Sequence, residues 1–146
     1  MSENSRFAVA AHALTLMSLE ARPLTSEFIA GSVNTNPVVI RRVLALLRSA
    51  RLVASKGGAR GGWRLTRAPE AITLRDVFRA TEEPRLFSFP GQPPSPLCPV
   101  GSTIQPILGR QFELALQGME SALGRSTIAD LLRQTRAESN PAQRNP

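Results

Sequence analysis

A chain of 146 residues, 42% of them hydrophobic, is sized for one compact domain or for one domain plus an oligomerisation element, and not for two full domains. No apolar run approaches the ~18 residues of a membrane span, and the N-terminal MSENSRFAVAAHALTLMSLE has no basic leader and carries His12, Ser18 and Glu20 within its apolar stretch, so a cytoplasmic protein without signal peptide or membrane contact is expected. A single cysteine, Cys98, and a single histidine, His12, exclude an intrachain disulfide framework and any cysteine-only metal site within one chain.

Phe7, Ala10, Ala11, Leu14, Met17 and Ala21 recur at three- and four-residue spacing and predict a helix from Ser5 to Ala21, ended by Pro23. Thr25 or Ser26 caps a short second helix through Val33, with Glu27 in the first turn where the dipole favours an acid. Asn34-Thr35-Asn36 breaks it. Asn36 as N-cap and Pro37 as first residue open a third helix, because the amide hydrogen that proline lacks would have no partner there. Its buried stripe is Ile40, Val43, Leu44 and Leu47, which turns Val38, Arg41, Arg42, Ala45, Arg48 and Ser49 outward. Leu52 to Lys56 and Trp63 to Arg67 then alternate as two short strands around Gly57, Gly58, Gly61 and Gly62, a hairpin whose glycines demand positive φ or close approach. After Pro69, Thr73 caps a helix through Thr81 that buries Leu74, Val77 and Phe78. The fold class is mainly α with a small β-hairpin, a winged helix-turn-helix domain over residues 1–83.

Residues 84–99 hold six prolines, at 84, 90, 93, 94, 96 and 99, so this stretch is read as a linker or an ordered excursion without regular structure. Val100 to Gly124 is predicted as one long helix of roughly 36 Å at about 1.5 Å per residue, with Pro106 near its first turns. Ile104, Ile107, Leu108, Phe112, Ala115, Leu116, Met119 and Leu123 give it an apolar stripe too wide for one small neighbour, the mark of a dimerisation element. Thr127 caps a last helix through Thr135 that completes residues 100–136, and residues 137–146 are expected to form a disordered tail.

The net charge of +7 is concentrated. Between Glu27 and Glu70 there is no acid, yet Arg41, Arg42, Arg48, Arg51, Lys56, Arg60, Arg64 and Arg67 all fall there. Arginine's planar fork suits phosphates and guanine edges, although a solvated basic face explains charge alone equally well. NTNPVVIRRVLALLRSARLVASKGGARGGWRLTR followed by AITLRDVFRATEE resembles the BadM/Rrf family of bacterial winged-helix transcription regulators, which includes IscR and NsrR, and the resemblance covers nearly the whole chain.

The resemblance implies a homodimer that binds double-stranded DNA at an inverted-repeat operator, most simply as a repressor. Its recognition helix enters the major groove by its first turns, here Asn36, Val38, Arg41 and Arg42 with Thr35 before them and Ser26 opening the preceding helix. Arginine can pair bidentately with guanine and Val38 can meet a thymine methyl, while phosphate contact alone is the other role open to Arg41 and Arg42. In the wing, Arg60 matches the family's tip arginine, flanked by Lys56, Gly61 and Gly62. Trp63 reads as a packed residue at the wing base and not as a base-stacking platform. Ile104, Leu108, Phe112, Ala115, Met119 and Leu123 carry the implied dimerisation.

Cluster-binding members of the family place three cysteines between the fourth helix and the long helix, where this chain has Cys98 alone. No cluster and no other cofactor is therefore expected. Two roles stay open for Cys98, a redox-sensing thiol favoured by a helix N-terminus or an inert filler of a small niche, and a small-molecule signal is equally open. No catalytic constellation is visible, since GGARGG lacks the Lys-Ser/Thr pair of a phosphate loop, so no enzyme is expected. The alternative class is a winged-helix protein-interaction module or a non-specific RNA-binding module using the same basic face.

Overall fold

A computed structural model describes residues 5–140. Helix α1 (Ser5–Glu20) ends where Ala21 takes a left-handed φ of 51°, two residues before Pro23. Its buried face is Ala10, Ala13, Leu14 and Met17; Ala11 is half-buried, and Ala21 lies beyond the helix. Helix α2 (Ser26–Val33) is capped by Thr25, whose hydroxyl accepts from the Phe28 amide, and closes at Asn34 in the left-handed conformation. Helix α3 (Pro37–Ser49) starts on Asn36 and buries Ile40, Val43, Leu44 and Leu47 as its periodicity predicts. These faces meet Leu24, Leu52, Val53, Ile72, Val77 and Ile128 in one core.

Strands β1 (Val53–Lys56) and β2 (Gly62–Leu65) pair antiparallel, with Val53 opposite Leu65 and Lys56 opposite Gly62, shorter than the alternation suggests by Leu52, Thr66 and Arg67. The hairpin is stitched to the α1–α2 connection, because Leu24 and Trp63 exchange backbone hydrogen bonds of 2.9 and 2.7 Å. Gly62 sits at that seam with φ 140°, and a Cβ there would lie 2.7 Å from the Leu24 carbonyl oxygen. Gly62→Ala should therefore cost about 1–3 kcal/mol in urea denaturation through backbone strain, and a wild-type midpoint would show that the seam is not needed.

After the 3-10 turn Pro69–Ala71, helix α4 (Leu74–Thr81) buries Val77 and Phe78. Helix α5 (Ile104–Leu123) begins four residues later than predicted, since Val100–Thr103 form turns, and Pro106 is its third residue. Helix α6 (Ile128–Ser139) packs against α1 and the Pro69–Ala71 turn. Helices α4 and α6 start side by side on matching capping boxes. Thr73 and Thr127 accept from the amides of Asp76 and Asp130 at 3.1 Å, and each aspartate accepts in return at 2.9 Å. The two starts are joined by Leu74 N–H to Ser126 O and Ile128 N–H to Ile72 O, both 2.9 Å.

Asp130 is held below the ordinary carboxylate range by the Thr127 backbone amide and then by Arg133. A group with a depressed folded pKa contributes stability above its unfolded value, about 3.9, and loses it as pH falls through the folded value. The denaturation midpoint of wild type should thus fall more steeply below about pH 4 than that of Asp130→Asn; parallel acid limbs would show the box to be thermodynamically silent.

Two expectations need correction. Helix α6 runs to Ser139 and not to Thr135, because Arg136, Ala137 and Glu138 are good helix formers that extend a helix already nucleated, even without apolar spacing. Of the tail expected from residue 137, residues 137–139 are helical and 141–146 lie outside the described residues. The apolar stripe of α5 is not bare either. The Pro-rich segment is an ordered excursion that folds Phe87 and Phe89 onto Phe112, with ring centroids 5.0 and 5.4 Å away. Among the described residues no helix is long and apolar enough to cross a membrane.

Candidate nucleic-acid interface

The helix-turn-helix is set by local chemistry. Asn34 makes the left-handed turn, and the side-chain oxygen Oδ1 of Asn36 then accepts from the Val38 amide at 2.8 Å, which caps the start of α3. That cap occupies the Asn36 oxygen and leaves its amide nitrogen as the group free for a ligand. Val38 is 47% exposed, an apolar group left in water at the start of a polar helix face. Arg41 and Arg42 follow it, both exposed, while Thr35 is half-buried in the turn.

Arg41 is not free. Its Nη2 donates to Glu27 Oε1, an ion pair between the first turns of α2 and α3. Arg42 forms no ion pair among the described residues. Ser26 is withdrawn from the candidate face, because it is only 7% exposed and its small side chain is enclosed at the start of α2. Next to it, Phe28 is exposed under the Arg22 guanidinium, 5.0 Å from the ring centroid. The Glu27–Arg41 pair is not legible in sequence, since it arises where α2 is presented beside α3.

The wing adds Lys56 and Arg60, both exposed around the turn between the strands. Gly61 and Gly62 have a structural duty there: a Cβ on Gly61 would lie 2.0 Å from the Lys56 carbonyl oxygen, and Gly62 is pressed on Leu24. Trp63 is half-buried against the core, with the Arg48 guanidinium 5.6 Å from its ring centroid, so the end of α3 and the wing base are coupled by cation–π attraction. Trp63 is thus a packed wing-base residue, as its alternation with Leu65 implies.

Helix α5 leaves the domain near the end of α4, clamped by a two-pronged Arg79–Glu120 pair of 3.0 and 3.0 Å that holds Glu120 below the ordinary carboxylate range. Of its twenty residues only Leu116 is buried. Ile104, Leu108, Phe112, Met119 and Leu123 are half-buried and Ala115 exposed, while Ile107 and Leu114 are 46% and 60% exposed. A cleft of about 640 Å³ opens where Phe7, Phe78 and Phe87 approach Met119 and Leu123.

Cys98 is exposed, and the backbone amides of Gly101 and Val100 draw its thiol below the ordinary range. It precedes turns and not the first residue of α5, so hydrogen bonds take the part expected of the helix dipole. His12 pairs with the Ser32 hydroxyl at 2.8 Å. Among the described residues no group of three or more His, Cys, Asp or Glu side chains is arranged to hold a metal ion.

With this geometry in place, known proteins place the chain. The profile of the Rrf2 family, described as an iron-dependent transcriptional regulator, matches residues 3–134. This chain belongs to the Rrf2 family. YwnA of Bacillus subtilis (strain 168), a candidate HTH-type transcriptional regulator, is 40% identical over 129 residues, 88% of this chain and 96% of YwnA. A crystal structure of a candidate DNA-binding protein is 39% identical with a TM-score of 0.72, covering 88% of this chain and 99% of that one. The fold is shared more widely. IscR of T. potens has a TM-score of 0.69 at 22% identity, covering 100% of this chain and 93% of its own. CymR, the global cysteine regulator of B. subtilis, has a TM-score of 0.62 at 23% identity, covering 86% and 94%. The chain is an Rrf2-type transcriptional regulator with a winged helix-turn-helix fold, and the family is not one of enzymes. The family description names iron, and against it this sequence offers one cysteine, Cys98, and one histidine, His12.

Proposed function

We propose that this Rrf2 protein is a cytoplasmic homodimer that represses transcription from an inverted-repeat operator and works without an iron–sulfur cluster. The observation that carries the reading is the exposed set Asn36, Val38, Arg41 and Arg42 on the first turns of α3, together with exposed Lys56 and Arg60 on the wing. Such a helix has the side chains that major-groove readout needs, and two copies related by symmetry read half-sites about 34–36 Å apart. The long α5, with Ile107 and Leu114 in water, supports a second copy as partner. Binding-site selection from random duplexes should return an inverted repeat preferred by ~10³-fold or more at physiological salt. Equal affinity for random sequence would overturn the reading.

The signal is proposed to be a small molecule, for which the cleft at Met119 and Leu123 adjoins both the DNA-binding domain and α5, or oxidation of Cys98. The second is tested directly. Mild peroxide should weaken operator binding by wild type and leave Cys98→Ser unaffected; equal responses, or none, show Cys98 to be an inert thiol, although its exposure rules out the filled niche expected from sequence.

A further inference from the structure

Glu27 is the last acid before Glu70, alone at the edge of the most basic stretch of the chain. Its carboxylate accepts from Arg41 across the two helices of the helix-turn-helix, with side chains 64% and 52% exposed. An exposed pair of this kind contributes only about 0–1 kcal/mol to folding, so stability does not explain an acid on a face built for a polyanion. Its effect on Arg41 does. A guanidinium has five N–H groups in a rigid fork, and engaging one Nη2 hydrogen leaves a second two-donor edge open. The single contact to Nη2 draws the Arg41 side chain toward α2 and leaves it a two-donor edge of the kind that pairs with guanine O6 and N7. It also removes the pair's net charge, which reduces the attraction of Arg41 for bare phosphate.

We infer that Glu27 is a positioning residue for base recognition: it holds Arg41 for a guanine and against non-specific phosphate contact. The inference rests on the DNA-binding reading above. A free arginine at the same place would sample many rotamers and pay for ordering on binding, whereas a braced one is ordered beforehand.

The test uses the full-length protein and its selected operator. Glu27→Gln keeps shape and removes charge, and its melting temperature should match wild type. At the base pair where Arg41→Ala relaxes preference, Glu27→Gln should relax it as well, by roughly two- to fivefold, while affinity for random duplex stays level or rises. In an Arg41→Ala background, Glu27→Gln should add nothing at that base pair. Retained preference in Glu27→Gln, or an equal fall for operator and random DNA, overturns the inference. So does an Arg41→Ala protein with unchanged preference at every position, because Arg41 then reads no base. If wild type selects no operator at all, it is the regulator reading that fails, and the two failures are distinguishable.

Discussion

Leu114→Glu and Ile107→Glu are expected to convert the protein from dimer to monomer by light scattering and to weaken operator binding by about a hundredfold or more, as one half-site loses its linked partner. Both side chains are on α5, 60% and 46% exposed, and neither is enclosed by its own chain. An apolar helix face left in water costs about 25 cal/mol per Å², and a symmetry mate is the economical way to cover it. Met119→Glu and Phe112→Asp should also give monomers, but they test two things at once, since Phe112 carries Phe87 and Phe89 and Met119 lines the cleft. Unchanged melting temperature in the Leu114 and Ile107 variants separates assembly from folding. A wild-type protein that is monomeric at micromolar concentration and still binds its operator fully would sink the dimer.

The contrast between those two pairs of positions marks how far sequence reaches. The period of Ile40, Val43, Leu44 and Leu47 fixes the buried face of α3, and Asn36-Pro37, Thr73 and Thr127 announce helix starts, because these are local interactions with local signatures. The return of Phe87 and Phe89 onto Phe112 has no such signature. Proline density tells that residues 84–99 form no helix or strand, and it is silent on which surface the chain then follows. For that reason the stripe on α5 reads as wholly unpartnered when its Phe112 portion is already covered. Ser26 is a similar case: as a polar residue at a helix start it reads as exposed, and its burial follows from how α2 seats in the domain. Glu27 is legible as a residue favoured by the helix dipole, but its partner lies fourteen residues on, in another helix.

That pairing sharpens the second large effect. Arg42→Ala and Arg41→Ala should each lower operator affinity if they read bases, by about 1–3 kcal/mol with relaxed preference at one position. Lys56→Ala, on the exposed wing, should weaken specific and random DNA about equally and lower the salt slope by roughly one, the signature of a phosphate contact. Arg60→Ala belongs between these, since a minor-groove arginine reads groove width more than base edges. Arg110 is exposed on α5 and Arg125 just after it, so the same change of charge there should leave both operator affinity and salt slope unaltered. Arg41 and Arg42 differ in one respect that the measurements will resolve. Because Glu27 already offsets the charge of Arg41, its removal should change the salt slope less than removal of Arg42, while changing base preference at least as much. If Arg110 and Arg125 matter as much as Arg41, Arg42 and Arg60, then binding follows overall charge, and neither α3 nor the wing is the reading element.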